Sequence, residues 1–135
     1  MREVLIDTDI LSYYFRGDKT VTNRFSLYLD YYDSFNISMI TYFEVLSGLL
    51  MNDARAQLRK FEAFCSSNNV INISEASVTL SAKIAAHLQR KGSVLDNQDV
   101  LIAGIALEHN LVLITNNEKH FSRIPDLQID NWKKI

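Results

Sequence analysis

Residues 100–117, with the sequence VLIAGIALEHNLVLITNN, decide the fold class of this chain. The segment Val100–Leu107 is apolar nearly all round, which predicts a deeply buried helix. Leu111–Ile114 is a fully apolar run of strand length, and the polar residues after it end the strand. A buried helix that leads into an apolar strand is typical of a parallel sheet covered on both faces.

The rest of the chain alternates between short apolar runs and longer segments with helical periodicity. Strands are predicted at Val4–Ile6, Phe35–Met39, Val70–Ile73, Leu111–Ile114 and, at a sheet edge, Leu127–Ile129. Helices are predicted from Thr8 or Asp9 to Phe15, over Val21–Tyr32, from Thr41 to Leu50, over Asp53–Cys65, from Ser74 or Glu75 to Arg90, and from Asp96 or Asn97 to Leu107. We therefore expect an α/β, three-layer fold with a central, mainly parallel sheet flanked by helices.

Length and composition exclude several classes of protein. The chain has 135 residues, which predicts a single domain over residues 1–135. Its 14 Lys and Arg against 16 Asp and Glu give a net charge of −2, so bulk positive charge cannot hold nucleic acid, although a local basic rim could. The single cysteine excludes a disulfide framework, and no apolar run approaches the roughly 18 residues of a membrane span. We expect a cytoplasmic protein that does not contact the membrane.

Acidic and amide side chains fall where the predicted strands end and the inner helices begin. Asp7 ends the first strand, Glu44 lies in the first turn of the helix after the second strand, and Asp99 lies in the first turn of the most buried helix. Asn116 and Asn117 follow the strand that ends at residue 114. Since parallel sheets place their sites at the carboxyl ends of strands, we expect these side chains to converge on one rim.

Converging carboxylates without Lys or Arg partners repel one another strongly in a medium of low dielectric constant. A divalent cation relieves that repulsion. Hard oxygen ligands suit Mg²⁺ or Mn²⁺ rather than zinc. The predicted rim is therefore a candidate metal site.

Each of these residues also has a structural alternative. Asp96 and Asp99 have the spacing of a helix capping box, and so do Thr41 and Glu44. The two asparagines at 116–117 are common in turns. No single spacing is specific, and the metal-site hypothesis depends on the joint pattern.

The histidines and basic residues indicate a functional site less clearly than the acids do. The three histidines, His87, His109 and His120, do not have the spacing of metal ligands. The clusters at 90–91, 119–120 and 123 flank the segments that carry Asp99 and Asn117, where a bound phosphodiester would need counter-charge.

Several short segments, in order along the chain, resemble the motifs of PIN-domain nucleases, particularly VapC-type toxins of toxin–antitoxin pairs. They are Ile6-Asp7-Thr8-Asp9-Ile10-Leu11, the run from Ser38 through Glu44 to Gly48, Asp99–Gly104, Leu113–Asn117 with Phe121, Pro125-Asp126-Leu127, and Asn131-Trp132. The resemblance implies a compact α/β domain in which Asp7, Glu44 and Asp99 form the acidic metal site. It puts Asn117, or Asn116, at the fourth and more variable position of that site.

The same resemblance implies a Mg²⁺- or Mn²⁺-dependent endoribonuclease that is the toxin of a type II toxin–antitoxin system. Such a toxin would form a homodimer and would be neutralised by a cognate antitoxin. In this sequence the fourth position is Asn rather than Asp, which would weaken the binding of a second metal ion and leaves one-metal and two-metal chemistry both open. Asp9 stands where Asn is usual in the family. The Asn at the fourth position leaves an alternative open, a catalytically inactive PIN-like module that binds RNA or protein. A receiver-type α/β domain is disfavoured because that class would have a Lys directly after the last long strand, where this sequence has Thr115-Asn116-Asn117.

Overall fold

The computed structural model describes residues 1–135 and contains five short strands and seven helices. The strands are β1 (Val4–Ile6), β2 (Asn36–Ser38), β3 (Asn69–Ile71), β4 (Val112–Ile114) and β5 (Ile129–Asp130). The helices are α1 (Thr8–Phe15), α2 (Lys19–Tyr28), α3 (Met39–Met51), α4 (Arg55–Ser67), α5 (Glu75–Arg90), α6 (Asn97–Glu108) and α7 (Glu118–Phe121). All strand pairings are parallel, which confirms the predicted α/β class.

The sheet is built in two hydrogen-bonded parts that one side chain connects. One part has the order β1-β4-β5 and the other pairs β2 with β3. β1 and β2 lie side by side. Asn36, which is 3% exposed, donates from its amide to the carbonyl of Val4 and to the carboxylate of Glu3, both at 2.9 Å. The side-chain amide of Asn36 thus takes the place of backbone hydrogen bonds between β1 and β2. The strand order across the layer is β3-β2-β1-β4-β5.

Buried side chains form one core on each side of the sheet. The first packs α5 and α6 against Leu5 and Leu113. The second is rich in aromatic rings from α1 and α2, among them Tyr28, whose hydroxyl accepts a hydrogen bond of 3.1 Å from the backbone N–H of Val4. The predicted arrangement of helices on both faces is therefore confirmed. None of the seven helices combines the length and the hydrophobicity that crossing a membrane requires.

Helices α5 and α6 approach each other closely at Gly104. A Cβ built at this glycine would overlap the side chain of Ser81 and the carbonyl oxygen of Ser77. Glycine is therefore required because any other side chain would push the two helices apart. This contact fixes the position of α6, whose first turn carries Asp99.

Several predicted helix boundaries are wrong, and the start of α3, the helix after β2, matters most because it determines where Glu44 lies. Met39 was expected in the strand and Thr41 at the helix start, but the Ser38 hydroxyl accepts a hydrogen bond of 3.0 Å from the N–H of Thr41 and caps a helix that begins at Met39. Glu44 consequently lies in the second turn, not the first. The second helix ends at Tyr28 rather than at residue 32, because the chain turns there.

The C-terminal part of the chain also differs from expectation. The edge strand covers 129–130 instead of 127–129 and pairs with β4. The short helix α7 follows the asparagine turn and was not predicted, since four residues are too few for a periodic pattern.

Candidate active site

Asp7 occupies the carboxyl end of β1 and is almost completely buried, with 7% of its surface exposed. Its backbone N–H donates to the carbonyl of Ile114 at 2.9 Å, which keeps Asp7 level with the end of β4. Its carboxylate accepts one hydrogen bond from the N–H of Thr8 and one from the hydroxyl of Thr115, both at 2.8 Å. Asp7 is thus the N-cap of α1, as the helix-start alternative expected, and its second oxygen is held from the end of β4.

Glu44 reaches this rim from α3. The hydroxyl of Thr8 donates to Oε1 of Glu44 at 2.8 Å and lies 3.0 Å from the hydroxyl oxygen of Thr41. The capping box expected between Thr41 and Glu44 is not formed, because Ser38 is the cap. The carboxylate of Glu44 is therefore tied to the start of α1, next to Asp7, rather than to its own helix end.

Asp99 lies in the first turn of α6 and is half-buried. Asp96 occupies the cap position of this helix, but its side chain makes no capping hydrogen bond. The capping-box alternative for this pair is therefore wrong as well. Burial raises the pKa of Asp99, and the negative charges of Asp96 and Glu44 raise it further. Asp99 and Glu44 are close enough to repel each other.

The electrostatics of the rim are those of a crowded set of acids. Burial, followed by the charge of Asp9, raises the pKa of Asp7 to about 7, although the hydrogen bonds from Thr115 and Thr8 oppose the rise. The negative charge of Asp99 also raises the pKa of Asp7. Burial of Asp9 raises the pKa of its own carboxyl. All five ion pairs of the structure involve other acids, so no Lys or Arg neutralises these carboxylates. The sequence thus predicted correctly that the acids lack cationic partners.

The loop after β4 is held by Asp9 and by Thr115. Asp9 accepts from the N–H of Ile10 at 2.7 Å and from the N–H of Asn116 at 3.1 Å, so it joins the start of α1 to this loop. The N–H of Asn117 donates to the hydroxyl oxygen of Thr115 at 2.9 Å. The sequence indicates Asp9 only as a candidate helix cap, a position that Asp7 takes, and the contact of Asp9 with a residue 107 positions away has no local signal. The same loop places Asn117 beside the acids.

The rim offers carboxylate oxygens to a divalent ion. No three Asp, Glu, His or Cys side chains are arranged as a complete metal-binding group. Mg²⁺, however, usually takes one or two carboxylates and keeps several waters, so it does not need a closed cage. A set of carboxylate oxygens without a neutralising cation fits a hydrated Mg²⁺ or Mn²⁺ ion, and it lacks the sulfur and nitrogen ligands that zinc favours. The residues present therefore fit the predicted metal.

The fold and the site together define a class: a small α/β protein with an acidic rim at the carboxyl ends of its central strands. The chain belongs to the PIN domain family, whose pattern matches residues 4–127. The resemblance noted in the sequence is thereby confirmed.

Similar proteins and structures agree with this assignment. Ribonuclease VapC1 of Haemophilus influenzae is 35% identical over 132 residues, which cover 96% of this chain and 98% of that protein. The tRNA(fMet)-specific endonuclease VapC of Salmonella typhimurium is 35% identical over 97 residues, covering 71% and 74% of the two chains. A crystal structure of DNA-bound VapBC from Salmonella typhimurium superposes with a TM-score of 0.88 at 30% identity, covering 98% of this chain and 99% of that one.

Proposed function

We propose that this chain is a Mg²⁺- or Mn²⁺-dependent endoribonuclease and the toxin of a type II toxin–antitoxin system. The observation that carries the proposal is the group of mutually repelling carboxylates around Asp7, which no Lys or Arg neutralises. The names of the relatives support the reaction type, since they are ribonucleases or endonucleases. PIN-domain nucleases are generally dependent on a divalent metal, which supports the cofactor.

Asp7, Glu44 and Asp99 are the residues that would hold the ion. When bound, the ion acidifies a water molecule and stabilises the negative charge that develops on the phosphate during hydrolysis. The hydroxyls of Thr8 and Thr115 fix the orientation of the Glu44 and Asp7 carboxylates and remove the need to reorganise them on binding. Burial of Asp7 excludes water from its side of the rim and strengthens its interaction with positive charge.

Asn117 is the fourth residue of the proposed site. Its side-chain amide has two hydrogens, and it offers a donor to the scissile phosphate at a rim that otherwise repels phosphate. RNA is the proposed substrate. Because the relative from Salmonella typhimurium is named a tRNA(fMet)-specific endonuclease, a transfer RNA is the first substrate to test.

The proposal is tested by incubating the purified protein with transfer RNA and Mg²⁺ or Mn²⁺, with and without a chelator. We expect cleavage that stops in the chelator and is lost in Asp99→Asn. Asp96→Asn is the matched control, because Asp96 is an exposed acid on the same helix end whose charge acts on Asp99 but which is not a proposed ligand. Equal cleavage by Asp99→Asn and the unchanged protein would reject this site.

The alternative of an inactive PIN-like module is favoured by one feature, the Asn at position 117 in place of an acid. An inactive module that retained the metal would show a rise in melting temperature with Mn²⁺ but no cleavage of any RNA. One that had lost the metal would show neither effect.

The cognate antitoxin is the proposed partner, since the similar solved structures are VapBC toxin–antitoxin complexes. A groove of about 220 Å³ supports this. It is lined by residues of α1, α3 and α4, which are Ser12, Phe15, Arg16, Val45, Leu49, Gln57, Lys60 and Phe61. The groove includes Ser12, one helical turn after Thr8, and Val45, the residue after Glu44, so it lies next to the acidic rim.

A homodimer is the proposed assembly. The apolar side chains of Phe43, Leu50 and Met51 on α3 are 62%, 60% and 80% exposed. Burying exposed apolar surface of this kind favours association. Sedimentation or light scattering at micromolar concentration would test the proposal, with a monomer as the contrary result.

A further inference from the structure

His120 lies beside the acidic rim and has no part in the function proposed above. Its ring is half-buried on α7, and Nδ1 lies 2.8 Å from Nδ2 of Asn117. His120 also counters the rise in the pKa of Asp99, so the ring is within electrostatic reach of a proposed metal-binding carboxylate. The imidazole is therefore held at the rim by a residue of the candidate site.

The contact with Asn117 defines which ring nitrogen carries the proton. An amide nitrogen can only donate, so Nδ1 of His120 must accept the hydrogen bond. In the neutral ring the proton then lies on Nε2. No group of the protein accepts a hydrogen bond from Nε2, and this N–H is a donor free for a ligand.

A continuous set of hydrogen bonds connects this ring to the buried carboxylate of Asp7. The hydroxyl of Thr115 donates to Asp7 at 2.8 Å and accepts from the N–H of Asn117 at 2.9 Å, and the side chain of Asn117 holds His120. The position of the Nε2–H donor is thus fixed relative to the acids rather than set by a mobile side chain.

We propose that His120 is a phosphate-binding residue of this site, with Nε2–H donating to an oxygen of the scissile phosphodiester and Asn117 orienting the ring. The inference rests on the proposed ribonuclease function. An imidazole N–H suits this position because it donates without carrying a permanent positive charge, whereas a Lys or Arg at the same place would form an ion pair with Asp99 and compete with the metal ion. Asn117 is in this respect a positioning residue.

The first test measures binding of a fluorescently labelled RNA hairpin to variants built in the Asp99→Asn background, where the RNA is not cleaved. His120→Leu should weaken binding by about 10-fold or more, the size expected for one hydrogen bond to a charged group. His120→Gln, whose amide can supply a donor, should recover most of the affinity. His87→Leu is the matched control, because His87 is half-buried on α5 and takes no part in the pKa shifts of the acids. Equal affinity of His120→Leu and the control would overturn the proposal.

The second test does not depend on the affinity of the protein for RNA. Long-range ¹H–¹⁵N NMR correlations should identify the Nε2–H tautomer of His120, a mixture of tautomers in Asn117→Ala, and a shift of the Nε2 resonance when the hairpin is added. An Nδ1–H tautomer, or an unmoved Nε2 resonance, would overturn the proposal.

The two proposals fail in different ways. If the unchanged protein cleaves no RNA but His120 still responds to the hairpin, the ribonuclease function is wrong and the phosphate contact stands. If the protein cleaves RNA and His120→Leu retains its kcat/KM, the inference about His120 is wrong and the ribonuclease function stands.

Discussion

Replacing Asp7 with Asn should stabilise the metal-free protein at neutral and higher pH. Asp7 is buried among other acids, and its pKa is raised from the usual 3.8 to about 7. The unfolded chain ionises this carboxyl at a lower pH than the folded chain does. The contribution of Asp7 to the free energy of unfolding therefore falls as the pH rises from about 4 to about 7 and is constant above that.

The size of the effect follows from the pKa. Each pH unit between the unfolded and folded values costs about 1.4 kcal/mol, so the ionised carboxylate destabilises the fold by roughly 4 kcal/mol at pH 8. Asn keeps an acceptor for the N–H of Thr8 but cannot accept from the hydroxyl of Thr115, a loss of about 1 kcal/mol. The net gain is roughly 3 kcal/mol at pH 8, or about 10 °C in Tm for a chain of this length. At pH 5 the gain should shrink to about 1 kcal/mol.

The assay is thermal unfolding of both proteins in EDTA at pH 5 and pH 8, repeated at pH 8 with Mn²⁺. Mn²⁺ should raise the Tm of the unchanged protein and leave that of Asp7→Asn almost unchanged, because the variant has lost a ligand. An Asp7→Asn protein no more stable than the parent at pH 8 in EDTA, or a gain that does not depend on pH, would refute the reasoning.

Three further substitutions test the fold around the rim. Gly104→Ala forces a methyl group into Ser81 and should lower the free energy of unfolding by about 2–3 kcal/mol in urea titrations; an unchanged midpoint would show that α5 and α6 can separate freely. Tyr28→Phe leaves the buried N–H of Val4 without its partner and should cost about 1–3 kcal/mol in the same titration, whereas a neutral result would mean that water replaces the hydroxyl. Thr115→Val removes a hydrogen bond that lowers the pKa of Asp7. The Mn²⁺-induced rise in Tm should therefore need a higher pH in this variant, and an unshifted pH dependence would contradict the role given to the hydroxyl.

Local patterns in the sequence predict most of the fold. The predicted strand Leu111–Ile114 and the buried helix before it are apolar on all sides, so their period and length leave few alternatives. The bounds of all five strands lie within two residues of the expected positions. The start of a helix is harder to predict where two nearby residues can both serve as the N-cap. Ser38 and Thr41 are both good caps, and only the packing of α3 decides between them.

The site depends on contacts that the sequence does not encode locally. The hydrogen bond from Thr8 to Glu44 joins residues 36 positions apart, and that from Thr115 to Asp7 joins residues 108 positions apart. The acids could be proposed as a group only because each follows a strand or begins a helix. The pair Asn117 and His120 was overlooked although its spacing of three is the spacing at which helical side chains meet, because α7 itself was not predicted.

The central claim is that Asp7, Glu44 and Asp99 share one divalent cation. A crystal structure of the protein grown with Mn²⁺, with anomalous scattering recorded at the manganese edge, tests it directly. We expect one manganese peak at the rim, about 2.1–2.3 Å from carboxylate oxygens of Asp7 and Asp99, with Glu44 bound directly or through water. Well-ordered carboxylates with no manganese between them at millimolar Mn²⁺, or manganese bound only elsewhere, would contradict the claim.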